Sequence, residues 1–138
     1  MNPVDIAKMQ INGFNDRSFR TSAQNYVSDH IVVVDAQSGQ ELHGVEGFKQ
    51  YAEGFVAAMP DIKGAILDQK ANGNTVITFA QATGKFTGRL QTPQGTVPGN
   101  GNKVDFPYQL EIQVENDKIV RFTATYNMQS FREQLGLA

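Results

Sequence analysis

From Val45 to Met59, the apolar residues Phe48, Tyr51, Ala52, Phe55, Val56 and Met59 recur at spacings of three and four. That period marks one face of an α-helix and predicts a single buried stripe. Pro60 stops the helix, because the residue before a proline avoids helical dihedrals. Residues 3 to 13 place Ile6, Met9 and Ile11 among polar neighbours, with Pro3 near the start and Gly13 at the end. This predicts a first helix. Ser18 is positioned to cap a second, running through about Tyr26. Ile31-Val32-Val33-Val34-Asp35 is β-branched and predicts a strand, with a turn at Ser38-Gly39.

The second half of the chain changes period. Ile62 to Lys70 predicts a strand, and Ala71-Asn72-Gly73-Asn74 a turn. Strands from Thr75 to Thr83 and from Lys85 to Gln91 follow. Residues 92–102 are rich in glycine and proline and predict a loop rather than a ladder. Two long strands, Lys103 to Val114 and Lys118 to Asn127, lead to a short helix with Phe131 and Leu135. A three-residue loop with Asp117 left-handed sets Glu111 opposite Arg121, Ile112 opposite Val120, Leu110 opposite Phe122 and Phe106 opposite Tyr126. One face of this hairpin is then apolar and the other, from Asp105 to Asn127, polar.

Helices first and an antiparallel meander after predict an α+β domain, with the helices over one sheet face. A strongly curved antiparallel sheet half closed by N-terminal helices makes a cone with an apolar interior, which suits a small molecule. At 138 residues the chain is one domain, long enough for a core without staples. It has no cysteine, which excludes disulfide and thiolate chemistry, and only two histidines, His30 and His43. Two histidines argue against a histidine-rich metal site, though carboxylates could still bind a metal, and no metal is expected. A net charge of -2 gives no electrostatic reason to expect nucleic acid as a partner. No segment predicts a membrane span, and Met1-Asn2-Pro3-Val4-Asp5 lacks the features of an export signal. Cytoplasmic residence is the default expectation.

Several segments, in order, resemble the SnoaL-like polyketide cyclases of the nuclear transport factor 2-like superfamily. They are Tyr26-Val27-Ser28-Asp29-His30-Ile31-Val32, Gly44-Val45-Glu46-Gly47, Met59-Pro60-Asp61-Ile62, Thr83-Gly84-Lys85-Phe86-Thr87-Gly88, Asn116-Asp117-Lys118-Ile119 and Gln134-Leu135-Gly136. The resemblance covers about residues 5 to 137. It implies a cone-shaped NTF2-like barrel, usually a homodimer, with one pocket per subunit and no metal or organic cofactor. It also implies a carboxylate near the last strand that removes a proton beside a carbonyl, with proximity supplying much of the rate. The chain departs from the pattern at three positions. Asn127 stands where the acid/base aspartate is expected, Ala82 where many relatives have histidine, and Thr123 where many have tryptophan. The 92–102 loop also looks longer than usual. An amide has no proton to lose near neutral pH, so Asn127 cannot be a general base, though it can hydrogen-bond a carbonyl or enolate oxygen.

Asn127, Asp35 and Glu111 are therefore the catalytic candidates. Against these roles, Asn127 reads as a strand-end residue turning into the last helix. Asp35, at a strand end, reads as a surface carboxylate. Glu111 reads as the partner of Arg121. Asp61 reads as a corner residue, and Asp29, His30 and His43 as structural or solvated groups. The expected pocket combines Phe55, Met59, Phe79 and Phe106 with Tyr108, Phe122, Tyr126 and Asn127. Three functions stay open: an enzyme (cyclase, isomerase or lyase) acting on a small apolar carbonyl compound, a non-catalytic binder of an apolar metabolite, and a dimeric module whose interior is filled.

Overall fold

The computed structural model describes residues 1–137. Helix α1 (Pro3–Asn15) starts under an Asn2 cap whose side chain accepts the Asp5 N–H. A short α2 (Phe19–Ser22) and a 3-10 turn at Ala23–Asn25 lead into β1 (Val27–Asp35). Ser18 stands at the α2 cap position but makes no side-chain cap bond. A three-residue β2 (Glu41–His43) precedes α3 (Gly44–Ala58). Strands β3 (Lys63–Asn72) and β4 (Thr75–Lys85) follow, and then the pair β5 (Arg89–Thr92) and β6 (Gly95–Pro98). The chain closes with β7 (Lys103–Glu115), β8 (Lys118–Tyr126) and α4 (Met128–Leu135).

Six strands form one sheet in the order β2-β1-β8-β7-β4-β3, and β5 and β6 form a separate ribbon. The cone-shaped antiparallel barrel expected from the sequence is not what forms. The sheet is open and mixed: β1 runs parallel to β8, and among the described residues the edges β2 and β3 do not pair. An alternating pattern shows that one face of a strand is buried. It does not show whether a sheet closes on itself. The edge strand β3 is solvent-exposed along most of its length and polar at Asp68-Gln69-Lys70, as unpaired edges usually are.

The β7–β8 hairpin also departs from its expected register. Its loop is the two-residue turn Asn116-Asp117, with φ of 52° and 60°. Both residues are left-handed, the form that matches strand twist. Ile112 faces Phe122 and Tyr108 faces Tyr126, with a bulge where Ile119 and Val120 pass Val114. Glu111 therefore lies across from Thr123, not Arg121. A slip of two residues leaves every side chain on its own face, so Leu110, Ile112, Phe122 and Ala124 remain buried.

One sheet face carries the core. Helix α1 packs over β3, β4 and β7, and α3 packs over β1, β2 and β5. Ile6, Phe19, Ile31, Phe48, Ile112 and Phe122 join one apolar cluster between these layers.

Candidate functional site

The helices leave a cavity against the sheet. Its wall draws Gln10 and Phe14 from α1, and Phe48, Tyr51, Ala52 and Phe55 from α3. The sheet supplies Ala82, Phe106, Tyr108 and Leu110, with Phe122, Ala124 and Tyr126 from β8. Its free volume of about 70 Å³ is several times the roughly 10–15 Å³ that one water requires. The rings of Phe55, Phe106, Tyr126 and Phe131 meet at centroid distances of 5.0 to 6.2 Å, largely edge to face. The wall is therefore apolar and stiff, and its few polar atoms belong to Gln10 and three tyrosines.

Behind this wall lies Asp35. Ile31, Val33 and Asp35 alternate onto the inward face of β1, and Asp35 is only 5% exposed. The surface position expected from sequence is thus overturned. Its Oδ1 accepts from the Gln37 amide at 2.9 Å and from the Ser38 N–H and hydroxyl, both at 3.1 Å. Its Oδ2 accepts the Tyr51 hydroxyl at 2.7 Å and the Tyr126 hydroxyl at 3.3 Å. The Tyr126 N–H donates to Gln37 Oε1 at 2.7 Å, which fixes the orientation of that amide. Helix, strand end and following turn thus converge on one carboxylate. A buried carboxylate with this many donors is held in one orientation.

Burial, followed by the adjacent Asp35 charge, pushes both the Tyr51 and Tyr126 hydroxyls far above the ordinary tyrosine range. Both remain neutral donors at any physiological pH. Tyr108 is pushed up to about 12 by burial alone. Its hydroxyl lies against Gly64, where an added Cβ would sit 2.2 Å away. Gly64 is in turn held by Asn15, which donates to its carbonyl and accepts its N–H, both at 2.8 Å. This pins the end of α1 to β3 beside the cavity.

Gln10 is the exception in the polar wall. It is buried, and its Oε1 has no hydrogen-bond partner among the described residues. Such an unmet acceptor costs on the order of 1–3 kcal/mol. The Tyr26 hydroxyl is likewise buried without a partner among the described residues, but Tyr26 does not line the cavity.

Of the residues expected in the pocket, Phe55, Phe106, Tyr108, Phe122 and Tyr126 line the cavity. Three lie elsewhere. Met59 is fully buried at the end of α3. Phe79 is on the opposite sheet face, with the Lys70 ammonium 5.8 Å from its ring centre. Asn127 is exposed and caps α4, its Oδ1 accepting the Ser130 N–H at 2.9 Å. Glu111 is exposed on the outer face. Asp61 holds its corner by accepting the Lys85 N–H at 2.8 Å. Asp29, His30 and His43 are exposed. Among the described residues, no cluster of histidine and carboxylate groups could hold a metal, and no helix is long and apolar enough to cross a membrane. Sequence reasoning missed Gln10 and the role of Tyr51, which it had read as one more member of the helix stripe. The parity of Asp35 with Ile31 and Val33 was the available signal for its burial.

The model of the SnoaL-like polyketide cyclases matches residues 4–135. The chain belongs to that family. Solved structures agree at the level of fold. A candidate SnoaL-like polyketide cyclase from Jannaschia sp. CCS1 superposes with a TM-score of 0.87 at 14% identity, over 99% of this chain and 92% of the other. IdmH from Streptomyces antibioticus, a candidate polyketide cyclase, gives 0.81 at 18% identity over 99% of both chains. A protein with a ketosteroid isomerase-like fold from Catenulispora acidiphila gives 0.78 at 17% identity, over 100% of this chain and 96% of the other. No curated protein matches the chain. Within the SnoaL-like family, this member places a small side chain, Ala82, in the cavity wall where histidine was expected, and Thr123 on the outer strand face.

Proposed function

We propose that this SnoaL-like protein is a cyclase or isomerase acting on a small apolar carbonyl compound, with Asp35 as the base. One observation carries the proposal: a buried carboxylate whose Oδ2 is held by two tyrosine hydroxyls, both belonging to cavity-lining residues. The Tyr126 bond is the longer of the two. In the proposed reaction Tyr126 turns its hydroxyl to the ligand's carbonyl oxygen, which frees a lone pair on Asp35 Oδ2. Tyr51 stays on the carboxylate and positions it. Asp35 then takes a proton from the carbon beside the carbonyl. The C–H electron pair becomes the enolate double bond, and Tyr126 donates to the enolate oxygen. The proton returns at another carbon in an isomerisation. In a cyclisation the enolate carbon bonds a second carbonyl carbon, and the new alkoxide receives the proton.

A positioned base contributes roughly 10²–10⁴-fold, and a donor to the developing oxyanion roughly 10²–10³-fold. The non-catalytic alternative keeps the same cavity but needs no base. The two separate in one experiment, the exchange of α-protons of the compact aryl ketone 2-indanone in deuterium oxide, followed by NMR. The proposal predicts exchange above background with the native protein and a loss of about 10²-fold or more in Asp35→Asn. Binding of the ketone without accelerated exchange would establish a binder instead.

A further inference from the structure

The cavity has a second polar pole that the proposed reaction does not use. Asp35, Tyr51 and Tyr126 belong to β1, α3 and β8, whereas Gln10 comes from α1, which packs over β3, β4 and β7 on the other half of the sheet. The rings of Phe48, Phe55, Phe106 and Phe122 line the same cavity. Gln10 shares the buried face of its helix with Ile6, Ala7 and Ile11. A polar side chain on such a face is retained at a cost unless something meets it. Gln10 is part of the cavity wall, and its Oε1 is buried and without a partner among the described residues. The Tyr108 hydroxyl stands on the same side, against Gly64 and the Asn15 clamp at the end of α1.

We infer that Gln10 is a specificity residue, and that the ligand is an aryl carbonyl compound bearing a hydroxyl remote from its reacting carbonyl. This rests on reading the cavity as the ligand site. The hydroxyl donates to Gln10 Oε1, and the carbonyl faces Tyr126 at the other pole. The ligand is thereby fixed end to end, and only one of its two orientations presents the acidic carbon to Asp35. An analogue lacking the hydroxyl leaves the buried acceptor unmet, which is a strong basis for discrimination in an otherwise apolar pocket.

The test compares the affinities of 2-indanone, 5-hydroxy-2-indanone and 5-fluoro-2-indanone by calorimetry, in the native protein and in Gln10→Met. Gln10→Leu serves as a second apolar variant if the methionine variant folds poorly. The expected result is a preference of about tenfold for the hydroxylated ketone in the native protein. That ratio falls to about one in either variant, and the fluoro analogue behaves like the unsubstituted ketone throughout. Binding of all three ketones with no preference, or a preference that survives Gln10→Met, overturns the role of Gln10 and leaves the site reading standing. If none of the ketones binds and none exchanges its α-protons, the site reading fails and this inference fails with it.

Discussion

Two residues, Asp35 and Asn127, carry the difference between a catalytic and an inert reading. The family resemblance drew attention to Asn127, because an amide there removes the expected base. The fold gives Asn127 a different task, since it is exposed and caps α4 through the Ser130 N–H. Asparagine and aspartate are about equally good caps. Asn127→Asp is therefore expected to leave α-proton exchange within about twofold of native, whereas Asn127→Ala costs about 1 kcal/mol in urea unfolding. A large rise in exchange in Asn127→Asp would return the base to the last strand. The carboxylate that matters was legible in part. Strand alternation sets Asp35 with Ile31 and Val33, both buried. Its partners were not legible. Tyr51 lies 16 residues away and Tyr126 lies 91 away, and no local pattern joins them to Asp35.

At the scale of elements, helices α1 and α3 follow from apolar spacing, and the long strands follow from alternation. The errors have local causes. A three-residue loop was expected where Asn116-Asp117 makes a two-residue turn. Parity kept the faces right while the pairing slipped by two. Glycine and proline in 92–102 hid β6, which pairs with β5 in a two-stranded ribbon and needs few ladder bonds. That ribbon is docked by a backbone contact sequence cannot show. The Gly88 N–H donates to the Ala58 carbonyl at 3.0 Å, so close that a Cβ at Gly88 would meet the Ala57 carbonyl oxygen at 1.8 Å. The hairpin turn gives the prediction at this scale. Asp117→Gly relieves a left-handed residue and is expected to stabilise by about 0.5 kcal/mol. The exposed ion pair it removes, to the N-terminus at 3.6 Å, is worth little. The signature is a higher urea midpoint with an unchanged slope. A lower midpoint would mean the turn is not left-handed at both positions.

Over the whole molecule, the family and the α+β class were readable from sequence, but the closure of the sheet was not. The open sheet and its helices bury all four tyrosines deeply enough to raise their ionisation. Tyr26 and Tyr108 rise from 10.0 to about 12, and Tyr51 and Tyr126 rise further. A raised folded-state value means the folded chain holds its protons longer than the unfolded chain. The associated stability is complete below about pH 10, the unfolded tyrosine value, and is lost as pH climbs toward the folded values. The ultraviolet tyrosinate band is therefore expected to stay silent at pH 10 and to appear above it together with unfolding. A tyrosine titrating near 10 in folded protein would contradict the burial of that ring. The central claim is that the cavity presents the Tyr126 hydroxyl to the oxygen of a small apolar carbonyl compound, with Asp35, held by Tyr51, as the base behind it. The most direct measurement is a crystal structure with 2-naphthol, a planar mimic of an enolate. The account predicts its oxygen within hydrogen-bond reach of the Tyr126 hydroxyl, with its rings between Phe55 and Phe106. An oxygen placed against Asn127, or a ligand bound only outside this cavity, would contradict it.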